Sequence, residues 1–139
     1  MKTIVQTVNF PGVTPAELYE TYLDSEKHAA AIGDDAKIER RVGGKFSTFG
    51  AGHLVGTILH LLPNRMIVQT WRSITRWKPE ELDSILVLTF EKAARGARLN
   101  LSHSGVPERD FKLYNEGWRK RYWRPWKAHF AVTRKQRNR

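Results

Sequence analysis

Five histidines, His28, His53, His60, His103 and His129, are the side chains of this chain whose ordinary pKa suits proton transfer near neutrality. None falls in an HExxH pattern and no two stand at ligand spacing, so no metal site is expected. The absence of cysteine excludes disulfides, thiolate nucleophiles and cysteine-bound metals. There is no GxSxG nucleophile turn, no GxGxxG and no GKS or GKT phosphate loop. Carboxylates cluster at Asp34-Asp35 and at Glu80, Glu81 and Asp83, in stretches read as loops, where solvated surface is the default. No catalytic residue and no cofactor is therefore assigned, and the reading is of a protein that is not an enzyme. A general acid or base at a cavity wall stays open as an alternative.

His103 is the histidine with a position that could matter. Alternation places it with Leu99 and Leu101 on one face of a strand, and Leu86, Leu88 and Phe90 share the corresponding face of the strand before it. The opposite face carries Thr89, Glu91, Arg98, Asn100 and Ser102. Two readings of His103 stand: a polar anchor in an apolar pocket, or a ring satisfied by a backbone carbonyl at the sheet edge. Among five tryptophans, Trp118 joins Tyr122 on the apolar stripe of a helix, while Trp123 falls about 100° off it. Trp71, Leu86, Leu88, His103, Trp118 and Tyr122 are accordingly the residues expected to wall a ligand site, with ring N–H and O–H tips available for hydrogen bonds.

The elements that would position these residues are legible from periodicity. Thr3 to Phe10 alternates and reads as a strand broken by Pro11-Gly12. Thr14-Pro15-Ala16-Glu17 is a capping box with proline at the first helical position, and Asp24 or Ser25 can start a second short helix that Gly33 would end. Strands follow at Lys37–Val42 and Lys45–Phe49 around a Gly43-Gly44 turn, at Leu54–Leu62 and Arg65–Arg72 around Pro63-Asn64, and at Ser84–Glu91 and Arg98–Ser104 around Arg95-Gly96. Thr75 to Asp83 is the longest irregular connection, of the kind that often rims a cavity. From Val106 to Phe130, the large side chains Phe111, Tyr114, Trp118, Tyr122, Trp126 and Phe130 repeat every three or four residues. That predicts a rod of about 25 residues, roughly 37 Å long, with a kink where Pro125 removes an N–H. Strands grouped together and helices set apart indicate α+β: a curved antiparallel sheet of six to seven strands wrapped around the long C-terminal helix, with two short helices after strand 1.

A single domain over residues 1–131 is expected, with 132–139 as a disordered basic tail. The net charge of +10 is concentrated in residues 107–139, which hold 11 Lys/Arg against 3 Asp/Glu. Such an end could meet nucleic acid, anionic lipid or an acidic protein surface, or be a solvated helix face. Nucleic acid is disfavoured because the aromatic rings that could stack bases lie on the stripe read as buried. No apolar run is long enough for a membrane span or signal peptide, so a soluble, cytoplasmic protein is expected.

Arg41-Val42-Gly43-Gly44-Lys45-Phe46, Gly56, Leu62-Pro63, Trp71-Arg72, Leu88-Thr89-Phe90-Glu91, Val106-Pro107, Gly117-Trp118 and Tyr122-Trp123 occur in that order. This succession resembles the C-terminal domain of the activator of the heat-shock protein 90 ATPase and its stand-alone bacterial homologues. Those belong to the START-like, birch-pollen-allergen-like and polyketide-cyclase-like superfamily. The resemblance spans about Thr3 to Phe130. It implies the helix-grip fold and a cavity that in relatives holds lipids, hormones or polyketides. The function expected first is binding of a small hydrophobic or amphipathic molecule between sheet and C-terminal helix. The alternatives are a chaperone-associated stress-response module that meets an acidic surface of a heat-shock chaperone, and a cyclase- or hydrolase-type enzyme using the same cavity.

Overall fold

In a computed structural model that describes residues 1–50 and 52–137, the alternation at the N-terminus becomes β1 (Lys2–Pro11). Its Ile4, Gln6, Val8 and Phe10 point inward, and Thr3, Val5, Thr7 and Asn9 outward. The capping box then starts α1 (Pro15–Leu23): Thr14 Oγ1 accepts from the Glu17 N–H at 3.1 Å, and Glu17 Oε1 accepts from the Thr14 N–H at 3.3 Å. Asp24 rather than Ser25 caps α2 (Ser25–Ile32), accepting from the Lys27 N–H at 2.9 Å.

The remaining strands are β2 (Ala36–Ile38), β3 (Lys45–Thr48), β4 (Leu54–Leu62), β5 (Met66–Ser73), β6 (Ser84–Ala93) and β7 (Gly96–Val106). All pair antiparallel in one curved sheet of order β1-β7-β6-β5-β4-β3-β2. The middle strand of the seven is thus β5, flanked by β6 and β4, and the buried parity of β6 and β7 is the expected one. Leu86 pairs with His103, and Leu88 with Leu101, on the face towards the helix.

One strand is shorter than expected. The stretch 37–42 leaves the sheet after Ile38, because residues 39–44 form a compact loop and not a two-residue turn. Glu39 closes that loop by accepting from the Lys45 N–H at 2.8 Å, while the Gly43 N–H reaches Ile58 O at 2.8 Å. Gly44 has no room for a β-carbon beside the carbonyls of Glu39 and Arg41, so its identity is set by close backbone approach.

The C-terminal rod lies in the concave face of the sheet, which is the helix-grip architecture. It begins with a 3₁₀ turn (Glu108–Asp110), continues as α3 (Phe111–Gly117), widens into a π-helical segment (Trp118–Trp123) and resumes as α4 (Arg124–Arg137). The break expected at Pro125 takes the form of this widening. A proline one turn later cannot donate to Arg121 O and its ring would crowd that carbonyl, and the Arg124 N–H bonds five residues back, to Arg119 O. The wider turn also carries Trp123 inward. Expected about 100° off the stripe, it is only 3% exposed, next to Trp118 and Tyr122 at 3% each.

α4 runs six residues beyond the domain limit expected at 131, so residues 132–137 are helix. Arg134 Nη1 donates to Pro11 O at 2.7 Å and Arg137 pairs with Glu17 at 3.6 Å, which ties this end to β1 and α1. Asn138 and Arg139, the end of the expected tail, lie outside the described residues. No helix among the described residues is long and apolar enough to cross a membrane.

Trp126 is fully buried and is the largest such side chain, packed against Phe10, Trp123 and Phe130. Trp126→Ala should therefore lower stability by about 3–5 kcal/mol, read as a fall in urea midpoint at constant slope. A loss below about 1 kcal/mol would mean that the rod is not seated in the sheet as described.

Candidate functional site

Beside the widened turn the rod and the sheet part slightly, leaving a recess of about 290 Å³. Trp71 of β5, Leu54 of β4 and Phe49 just after β3 form one side; Leu113, Tyr114, Gly117, Trp118 and Tyr122 form the other. The rings meet edge to face: Trp71 and Tyr114 have centroids 4.9 Å apart, and Phe49 and Tyr122 5.8 Å apart. Phe49 holds a φ of 59°, a conformation a bulky residue rarely adopts, and this aims its ring at Tyr122. The rim is polar and carries His53, Arg76, Glu116, Lys120 and Arg121. Arg76 bonds the buried Asp110 at 2.6 Å, and the Arg121 guanidinium lies 5.7 Å from the Phe49 ring centroid.

Of the six residues singled out from sequence, Trp71, Trp118 and Tyr122 border this recess, and Leu86, Leu88 and His103 do not. The two leucines lie on β6 and are fully buried in the core under the rod. His103 is equally buried and lies one layer behind the wall, its ring 4.6 Å from that of Trp71.

The hydrogen bonds of His103 define its tautomer. Trp118 Nε1–H can only donate, and it does so to Nδ1 at 3.1 Å. Nε2 therefore carries the proton and donates to Ser84 Oγ at 2.7 Å, and Ser84 donates onward to Trp71 O at 2.6 Å. Burial pushes the His103 pKa down to about 3, so the ring is neutral. Both of its nitrogens are engaged, and it ties the helix to two strands. Neither earlier reading of this residue was complete: its contacts are side chains, and it sits in the interior.

A second tether was not legible in the sequence. Tyr122 O–H donates to His28 Nε2 at 2.9 Å, and His28 Nδ1–H donates to Tyr22 O at 2.7 Å, which joins the rod to α1 and α2. Burial brings His28 down to about 4, with the Tyr22 carbonyl opposing, and raises the Tyr122 phenol. Histidine in an otherwise alanine-rich short helix was the one available signal. A third tether runs from Trp123 Nε1–H to Gln6 Oε1 at 2.8 Å, with Gln6 Nε2 donating to Asn115 O at 2.7 Å. Trp77 and Trp123, which would serve as exposed anchors if they lay outside the core, are 5% and 3% exposed. Trp77 Nε1 donates to Asp110 Oδ2 at 3.0 Å.

Among the described residues, four buried side-chain polar atoms lack a hydrogen bond of good distance and angle: Thr48 Oγ1, Trp71 Nε1, Tyr114 Oη and Trp126 Nε1. Two of these, on Trp71 and Tyr114, belong to rings that border the recess. Buried polar atoms are nearly always paired, so these four are exceptions to the general rule. No group of three or more His, Asp or Glu side chains able to hold a metal occurs among the described residues.

A family profile described as activator of Hsp90 ATPase homolog 1-like protein matches residues 12–130. The activator of 90 kDa heat shock protein ATPase homolog of Dictyostelium discoideum is 30% identical over 108 residues, covering 77% of this chain and 27% of that protein. The chain spans 27% to 36% of the length of the curated relatives it matches. Among solved structures, an HSP90 activator from Plasmodium falciparum superposes with a TM-score of 0.72 at 21% identity, covering 88% of this chain and 90% of that one. The Aha1 dimer from Colwellia psychrerythraea does so with a TM-score of 0.71 at 18% identity, covering 85% and 88%. At these identities the structural likeness is one of fold.

The two buried histidines make stability depend on pH. Each takes up a proton near 6.5 when unfolded but only near 4 (His28) or 3 (His103) when folded. Their contribution is fully present above 6.5 and is lost as pH falls towards those lower values. Urea unfolding between pH 6.5 and 4 should show stability falling with a slope that approaches two protons, about 2.7 kcal/mol per pH unit. A flat profile across that window would show that the two rings are not held neutral in the fold.

Proposed function

The chain belongs to the activator of Hsp90 ATPase homolog 1-like family, and from that premise we propose that it is a binding domain whose recess takes a small apolar or amphipathic molecule. The carrying observation is the aromatic recess itself, walled by Trp71, Tyr114, Trp118 and Tyr122 beneath a polar rim. At about 290 Å³ it stands at the small end of ligand sites, suited to a compact molecule and not to a long lipid. Each ~100 Å² of apolar ligand surface buried there would contribute about 2.5 kcal/mol. A hydrogen-bonding group on the ligand would engage the polar rim, where Arg76, Lys120 and Arg121 stand.

Gly117 offers a clean test. It lies in the helix and lines the recess, and a β-carbon there meets nothing within 4 Å. Gly117→Leu should fold, gain up to about 1 kcal/mol from helix propensity, and occupy the recess. Its affinity for a neutral naphthalene dye should fall about tenfold relative to the parent chain. Equal dye affinity in the folded variant would exclude the recess as the binding site. Native mass spectrometry of the freshly purified parent chain would identify any molecule that co-purifies.

A second reading, an interaction module for a heat-shock chaperone, is favoured by the outer face of the rod. Arg119, Arg124 and Lys127 are exposed there and make no ion pair with a carboxylate among the described residues. An acidic partner surface would complement them, and such a complex should weaken steeply with salt. Titration with the host's heat-shock protein 90 homologue at low and high salt should show that dependence. Absence of a salt-sensitive complex would remove this reading and leave the first intact.

A further inference from the structure

The two edges of the sheet are finished differently. β2 at one edge has only three residues, and its Ile38 is closed off by Ser25: the Ile38 N–H donates to Ser25 Oγ at 2.8 Å and Ser25 Oγ donates to Ile38 O at 3.2 Å. A short strand with a satisfied backbone gives another chain nothing to pair with. β1 at the other edge is ten residues long and pairs only with β7. From Thr3 to Phe10 it contains no proline and no charge, the devices that normally blunt an open edge. Its only backbone contact to a side chain among the described residues is at the far end, Arg134 to Pro11 O.

A groove of about 500 Å³ runs between this edge and the rod, bordered by Val5–Asn9 and by Arg119, Trp123, Arg124 and Lys127. The Gln6 hydrogen bonds to Trp123 and Asn115 form its floor, so the distance between strand and rod is set by the fold. Val5 is 71% exposed. Three cations and no carboxylate face the groove.

We propose that the open edge of β1 is a docking site for an extended acidic segment of another protein, which adds an eighth strand and places alternate Asp or Glu side chains against Arg119, Arg124 and Lys127. Backbone pairing with the edge supplies affinity, and the period of two along a strand presents every second side chain to the cations. This deepens the second reading above by naming the surface and its geometry, and it does not require the partner to be a chaperone. Self-pairing through β1 is disfavoured because it would bring two sets of the three cations together. Single-stranded nucleic acid would need stacking rings, and the only ring at the groove, Trp123, is 3% exposed.

The test is an NMR titration of the full chain with an end-blocked peptide of about nine residues alternating Glu and Thr, alongside the same peptide with alternate amides N-methylated. Shifts and slowed amide exchange are expected along Ile4–Asn9. Binding should weaken about tenfold for the N-methylated peptide, and about tenfold for the folded Arg119→Gln/Arg124→Gln/Lys127→Gln variant. Equal binding of the N-methylated peptide, shifts that avoid β1, a dimer through β1 in sedimentation, or stronger binding of an oligothymidine of equal charge would each overturn the proposal. A salt-sensitive chaperone complex without any effect at β1 would overturn it while leaving the second reading standing. Docking at β1 with no chaperone complex would remove only the chaperone.

Discussion

Burying aromatic rings that carry a polar atom is the constraint on which the rest of this molecule depends. The inner face of the rod is rich in tryptophan and tyrosine, and each such ring taken out of water brings an N–H or O–H that costs free energy unless it is paired. The fold answers with three tethers: Trp118 to His103 and Ser84, Tyr122 to His28 and the Tyr22 carbonyl, and Trp123 to Gln6. They radiate from one π-helical segment to β5, β6, β7, to α1 and α2, and to β1. Apolar burial alone would let the rod slide or rotate in its trough. The tethers select one depth and one rotation, because any other leaves several polar atoms unpaired at once.

The same segment accounts for the recess. Pro125 removes one backbone donor, the helix widens before it, and Trp118, Tyr122 and Trp123 all turn inward. Trp118 and Tyr122 lean toward β7 and α2, and their flank facing β4 and β5 is left lined but unfilled. The recess lies beside this widened turn, bordered also by Phe49 and Tyr114. Trp71 Nε1 and Tyr114 Oη fall on the rings around this gap. Trp126 and Thr48, which carry the other two such atoms, do not line it.

The outer face of the rod follows a different logic. Arg119, Arg124 and Lys127 are exposed and make no ion pair with a carboxylate among the described residues, so they contribute little to stability and are free to define a field. That field lies over the one long sheet edge that the fold leaves open. Inward chemistry and outward charge thus share a single helix, separated by its two faces. Substitutions on one face need not disturb the other.

Much of the architecture could be read from the chain itself: the capping box at Thr14, the alternation of β6 and β7, the aromatic stripe and the order strand, helices, sheet, helix. These are local signals, in which a residue's neighbours within a few positions decide its conformation. Trp71, Trp118 and Tyr122 could be named as wall residues because parity and period say which face a side chain takes. Leu86, Leu88 and His103 share that face, yet they are fully buried and do not line the recess, and no periodicity records depth. Trp123 was misplaced because an ideal helical period was assumed through a segment that widens. His28, Gln6 and Ser84 acquire their roles from partners up to 117 positions away. Sequence spacing carries face and period; only the packed chain decides which polar atoms meet, and where the packing stops short.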